Sequence, residues 1–208
     1  MRIITVSRQF GSGGSDIAKK LASKLDIKYV DKSILVEAAA GSGIAKEHFE
    51  KADEKRTNSF LFSLVSAHYA GAGTPVNLND IITDDKLFIH TADAIKRLAS
   101  EPCIIVGRCA DDILSDRPLL RLFIYADFDE RVKRISTLYD LNEKAAATLI
   151  KKTDKKRANY YNFYSGKTWG DAQNYDLCVN SSCLGIDGTV DAIASFAKAC
   201  EVCDRQTN

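Results

Sequence analysis

The chain has 208 residues, 45% apolar and 27% charged, which is enough for a packed core and far from the composition of disordered chains. Lys and Arg number 29 against 28 Asp and Glu, so no global basic field favours a nucleic acid polymer, and an anion would be held locally. No apolar run approaches the roughly 18 residues of a membrane span, and a strand pattern starts where a signal peptide would need a basic and then an apolar stretch; a cytoplasmic protein with no membrane partner is expected.

Residues 2–7 form a short apolar and β-branched run, which predicts a strand. Residues 13–25 carry Ile17, Ala18, Leu21, Ala22 and Leu25 at helical spacing. Residues 28–30 are a second short strand before Asp31, which can cap a helix begun at Ser33. Residues 45–69 read as helical, first charged and then rich in Phe, until Gly71 to Pro75 breaks the pattern. Residues 84–99 are a helix ended before Pro102, and Cys103-Ile104-Ile105-Val106 is a buried strand stopped by Gly107. Arg108 therefore stands just beyond a strand's carboxyl end. Residues 119–125 are a fourth strand, and Asp127 or Asp129 can cap the helix carrying Arg131, Lys133 and Arg134. Residues 141–160 are a long basic helix, 175–179 a fifth strand, and Val190, Ile193, Ala194, Ala197 and Cys200 an apolar stripe on a closing helix. Strands alternating with amphipathic helices predict an α/β fold, a parallel sheet covered on both faces, with ligands at the strands' carboxyl ends. One domain spanning residues 1–208 is expected.

The first strand and helix are joined by Ser7-Arg8-Gln9-Phe10-Gly11-Ser12-Gly13-Gly14-Ser15. Glycines there let backbone amides and the positive helix end approach phosphate oxygens, and Ser15 can offer a hydroxyl to Mg²⁺. Aligning Ser15 with the Ser/Thr of G-x-x-x-x-G-K-[ST] puts Arg8 at the first glycine and Gly14 at the lysine. Arg8 is the nearest replacement cation, although it could instead pair with a carboxylate and fix the loop. In the long helix Lys151, Lys152, Lys155, Lys156 and Arg157 crowd around a single acid, Asp154, which shares a face with Arg157. Such a face suits a transferring phosphoryl group, but it also suits a plain solvated helix.

The order of these parts resembles bacterial cytidylate kinases and, over nearly the whole chain, the cytidylate kinase-like family. The resemblance is carried by Ile3-Ile4-Thr5-Val6-Ser7-Arg8-Gln9-Phe10-Gly11-Ser12-Gly13-Gly14, Val106-Gly107-Arg108-Cys109-Ala110-Asp111, Phe123-Ile124-Tyr125-Ala126 leading to Glu130-Arg131, Asp154-Lys155-Lys156-Arg157-Ala158-Asn159-Tyr160-Tyr161, and Trp169-Gly170-Asp171. It implies a three-layer P-loop kinase fold with a five-stranded parallel sheet. It also implies a helical monophosphate-binding insertion at about 32–83 and a mobile basic lid at about 141–170. By the same resemblance Arg108, Asp154 and Arg157 lie at the acceptor, Arg131 lies near the transferred phosphate, and Asp31 opens the monophosphate-binding segment. Besides the absent lysine, Val106 stands where these kinases carry the Asp of Asp-Gly-Arg. A carboxylate organising Mg²⁺ would then come from Asp16, Asp31 or Asp111 through water.

The expectation is a Mg²⁺-dependent phosphotransferase that moves the γ-phosphoryl of ATP to a nucleoside monophosphate or similar small acceptor. Gly11, Ser12, Gly13, Gly14 and Ser15 would hold the donor, Ser15 the metal. Arg8, Arg131 and Arg157 would offset charge on the transferring group, while Arg108, Asp154 and Asp31 would bind the acceptor. Two alternatives are a nucleotide-binding regulator with little activity and a kinase of a non-nucleotide metabolite. His48, His68 and His90 are too scattered for a metal site. Trp169 reads as a loop anchor rather than a base-stacking ring, and Phe60, Phe62 and Leu64 as packing within the insertion. Cys103, Cys109, Cys178 and Cys183 read as buried reduced thiols, and Cys200-x-x-Cys203 has no matching second pair.

Overall fold

The computed structural model describes residues 3–31, 34 and 78–206. The helices expected between Ser33 and Tyr69, with Phe60, Phe62, Leu64, His48 and His68, lie outside the described residues, as does the side chain of Cys203. The chain divides into two compact units, residues 1–32 with 98–208, and residues 33–97.

Five strands, β1 (Ile3–Arg8), β2 (Lys28–Val30), β3 (Cys103–Val106), β4 (Leu119–Tyr125) and β5 (Leu177–Asn180), form one sheet in the order β2-β3-β1-β4-β5. Every pairing is parallel: Ile4 lies beside Ile104 and Leu120, Tyr29 beside Ile104, and Cys178 beside Phe123. Such a sheet is buried on both faces, which is why β3 is apolar at every position and buried throughout. The helices are α1 (Gly14–Leu25), α2 (Leu78–Leu98), α3 (Ala110–Ile113), α4 (Phe128–Tyr139), α5 (Glu143–Ser165) and α6 (Ser181–Gln206).

On one face Ile4, Val6, Leu120, Leu122 and Ile124 pack with Ile17, Ala18 and Leu21 of α1 and Val190, Ile193 and Ala197 of α6. Each of the larger side chains is worth roughly 1.5–3 kcal/mol on burial. Lys20–Asp187 and Lys24–Asp191 bridge the rim of the α1–α6 seam, but their side chains are mostly exposed and add little. On the other face Phe123 stacks against Tyr175, 5.0 Å between centroids, and meets Trp169 edge-on at 5.3 Å, so Trp169 is the loop anchor its setting suggested. Helices α4 and α5 pack on each other, and Ile135 of α4 and Leu149 and Ile150 of α5 are buried. In the second unit α2 buries Thr91, Ala94 and Ile95, a helical stripe.

Boundaries differ from the expected ones where local chemistry intervenes. Arg8, expected within the turn, is the last residue of β1, in register with Ile124. Helix α5 starts later and ends later, capped by Asn142, whose Oδ1 accepts from the Ala145 amide at 2.8 Å, and stopped by Gly166 at φ 68°. Asp127 stands at the start of α4, but its carboxylate accepts from Asn180 Nδ2 instead of a helix amide. Tyr175 ends a 3₁₀ turn ahead of β5. The short helix α3 had no sequence counterpart. Cys183 is exposed, contrary to expectation, because it falls in the first turn of α6 before the kink at Gly185.

Candidate active site

The glycine-rich turn sits at the carboxyl end of β1, the central strand, with the ends of β3 and β4 on either side. Gly11 and Gly13 take φ of 82° and 74°, conformations that cost other residues strain. The turn is pinned from within: Ser12, fully buried, donates to the Gln9 carbonyl at 2.9 Å and accepts from the Gly14 amide at 3.3 Å. Gln9 Oε1 takes the Ala126 amide beyond β4, and Ser181 donates to the Ser12 carbonyl at 2.7 Å. Ser12 therefore shapes the loop with its hydroxyl, whereas Ser15 and Asp16 are exposed in the first turn of α1.

Arg8 runs from β1 across both flanking glycines. A β-carbon at position 14 would lie 2.6 Å from Arg8 Cβ, and one at position 107 would lie 2.5 Å from Arg8 Nη1. Both neighbours are glycine because the arginine stem and head occupy that space. Arg8 Nε is buried without a hydrogen-bond partner. Burial, then Arg157 and Arg108, push the Arg8 guanidinium down to about 9, against support from Tyr29 and Asp31. It is still charged at neutral pH, as a buried cation not fully compensated. Arg157 is lowered as well, by burial first, with Asp154 opposing.

A second set of cations clasps the turn from α4 and α5. Arg157 Nη1 donates to the Arg8 carbonyl at 2.8 Å with its guanidinium over the Phe10 ring, Arg131 Nη1 to the Phe10 carbonyl at 3.2 Å, and Arg134 Nη1 to the Gly11 carbonyl at 2.7 Å. Asp154 ties them together, with Oδ1 accepting from the Phe10 amide at 2.7 Å and Oδ2 bridging Arg131 Nη1 at 2.5 Å. The Arg131 and Asp154 side chains are 8% and 16% exposed, so this is a largely buried pair, costly to break from one side.

Beyond β3 the consecutive residues Gly107, Arg108 and Cys109 all have φ between 54° and 76°, a conformation that costs a non-glycine residue about 1–3 kcal/mol. The Arg108 guanidinium lies over the Tyr160 ring at 5.4 Å, which joins this loop to α5. Asp111, nearly fully buried, accepts from the Tyr161 hydroxyl at 2.7 Å, so one of its oxygens is already engaged, and burial raises it above its ordinary value. Asp31 follows β2 and enters the site through its field at Arg8. Among the described residues no group of three or more His, Cys, Asp or Glu is arranged to hold a metal.

Structure thus brings Arg8, Gly11, Ser12, Gly13, Gly14, Arg131, Asp154 and Arg157 together around one turn, with Arg108 and Asp31 on the β3–β2 side. Sequence reasoning passed over Arg134, whose spacing of three from Arg131 puts both on one face of α4. It also passed over Gln9 and Tyr161, whose partners Ala126 and Asp111 lie 117 and 50 residues away in sequence.

Loop amides and buried guanidiniums at the carboxyl ends of a parallel α/β sheet define a phosphotransferase of the P-loop kinase class. The chain belongs to the cytidylate kinase-like family, whose model matches residues 3–183. It is 26% identical over 193 residues to a cytidylate kinase of Sulfolobus acidocaldarius, covering 93% of this chain and 92% of the relative. Among solved structures, an uncharacterized protein from Eubacterium ventriosum is similar with a TM-score of 0.71 and 31% identity, covering 94% of this chain and 98% of that one. A gluconokinase from Sinorhizobium meliloti shares the fold at a TM-score of 0.57 and 16% identity, covering 100% of this chain and 98% of that one. No helix among the described residues is long and apolar enough to cross a membrane.

Proposed function

We propose that this protein is a cytoplasmic nucleotide kinase that transfers the γ-phosphoryl group of ATP to a nucleoside monophosphate, cytidylate-like, with Arg8 in place of the P-loop lysine. The observation that carries this reading is the buried Arg8 guanidinium, its stem against Gly14 and its head against Gly107, with Nε unpartnered. A buried cation short of compensation is stabilised by an arriving anion. The likeness to an archaeal cytidylate kinase along more than nine-tenths of both chains supports the acceptor class.

The amides of Gly11, Gly13, Gly14 and Ser15 bind the donor's phosphates at the start of α1. Arg8, Arg131 and Arg157 offset charge on the transferring group, and Arg108 and Asp154, with Asp31, orient the acceptor. The acceptor oxygen attacks in line, so no covalent enzyme intermediate forms. Ser15 with exposed Asp16 suits Mg²⁺, which keeps several waters and needs few protein ligands. When bound, that ion neutralises charge on the donor's phosphates.

A nucleotide-binding regulator is the second reading, favoured by Gly14 standing at the lysine position. The two separate in an assay of ADP release from ATP and Mg²⁺ against a panel of monophosphates. The kinase reading expects release that depends on one of them, with Arg8→Ala lowering kcat/KM about 10²–10³-fold. ATP binding without transfer to any monophosphate favours the regulator, and an Arg8→Ala effect within about twofold removes the role given to Arg8.

A further inference from the structure

Asp154 holds its two oxygens against a backbone amide of the phosphate loop and a buried guanidinium, which are the donors a phosphoryl group would use. The carboxylate leaves one donor of the set unsatisfied. Phe10 N–H and Arg131 Nη1 take one oxygen each, while Nε of the same guanidinium is buried with no partner. A carboxylate has two oxygens; the terminal phosphoryl of a polyphosphate has three. Arg131 as a whole is 7% exposed, so water does not make up the difference.

We infer that Phe10 N–H and Arg131 form the subsite for the terminal phosphoryl group of the donor, and that Asp154 occupies it as an internal substitute until the donor arrives. This rests on the kinase reading. Phosphoryl binding displaces the carboxylate, satisfies Arg131 Nε with a third oxygen, and releases Asp154 toward the acceptor, so donor binding precedes a competent acceptor site. Arg157, one turn along α5, is tied to the Arg8 carbonyl and covers the Phe10 ring, so it moves with the same displacement.

The test is calorimetric titration of the full chain with tripolyphosphate, comparing wild type with Asp154→Asn, which keeps the shape and an acceptor oxygen for Phe10 but removes the charge. The variant is expected to bind about tenfold tighter, since a competing internal ligand has been weakened. Asp129→Asn, which removes an exposed charge from α4, is expected to change affinity little. Equal affinities of wild type and Asp154→Asn, or an equal gain in Asp129→Asn, would overturn the inference while leaving the phosphate loop standing. If neither tripolyphosphate nor ATP binds either protein, the kinase reading falls and takes the inference with it. Should Asp154→Asn fail to fold, Asp154→Ser provides a second neutral variant. Wild type labelled with ¹³C gives an independent reading: the Asp154 carboxyl resonance should shift in step with the Phe10 amide during the titration, and a stationary carboxyl resonance at saturation refutes displacement.

Discussion

Arg8 and Gly14 compete for one volume, which makes a reciprocal exchange informative. A β-carbon at position 14 would sit 2.6 Å from Arg8 Cβ and 2.9 Å from Arg8 Cγ. Neither atom is the free end of a side chain, so Gly14→Lys alone forces strand and helix apart, at about 1–3 kcal/mol for overpacking. For a chain of this size that lowers Tm by roughly 2–12 °C at about 2–4 °C per kcal/mol. Arg8→Gly alone removes the clash partner and also the buried cation, and should cost about 10²–10³ in kcat/KM. Arg8→Ala would not serve, because its β-carbon retains the contact. In the double variant the lysine finds room, and the charge returns to the same end of the loop. Thermal melts should show a favourable coupling of about 1–3 kcal/mol between the two sites. Coupled-enzyme kinetics should show at least about tenfold recovery over Arg8→Gly, a fraction of what one such cation supplies. Additive melting temperatures, or a double variant as inactive as Arg8→Gly, would refute the claim that Arg8 substitutes for the lysine.

Arg134→Ala removes the 2.7 Å bond to the Gly11 carbonyl and should destabilise by about 1–3 kcal/mol and weaken ATP binding, measured by melting and calorimetry, with Arg134→Lys in between. Tyr161→Phe leaves buried Asp111 without its hydroxyl donor. Because the folded-state pKa of Asp111 already lies above the ordinary 3.8, the folded form binds more protons, and stability from this group is present below that value and lost as pH rises. The Tyr161→Phe deficit should therefore grow as pH rises from about 4, in melts taken across pH, and lose that pH dependence against an Asp111→Asn background. Burial pushes the thiols of Cys103 and Cys109 up to about 11 and about 12, whereas Cys183 is exposed. Native protein treated with iodoacetamide at mildly alkaline pH should be alkylated at Cys183 and spared at both buried positions, as read by peptide mass mapping.

The alternation of short apolar runs with amphipathic helices made the sheet legible, since a strand buried on both faces needs apolar residues throughout and a crossover helix needs a stripe. The glycine turn was legible because its positive-φ backbone is written locally, in the glycines at 11 and 13. Elements whose ends depend on capping were read less well: α5 is set by Asn142 and Gly166 rather than by where its apolar pattern fades. Trp169 was placed correctly as an anchor, yet Phe123, the ring it meets, could not be named from sequence.

Sequence alone determined the parts of the site, a glycine-rich turn between strand and helix with a cationic segment downstream, because each part is a contiguous pattern with its own chemistry. Tertiary structure decided how those charges are spent. Only folding places Asp154 of α5 on the Phe10 amide, sets Arg131 and Arg134 on loop carbonyls, and buries Arg8 between two glycines ninety-three positions apart. The reason is physical: a guanidinium has five donors and no fixed partner in the sequence, and which carbonyl, carboxylate or phosphate it meets depends on the distance and burial that packing creates.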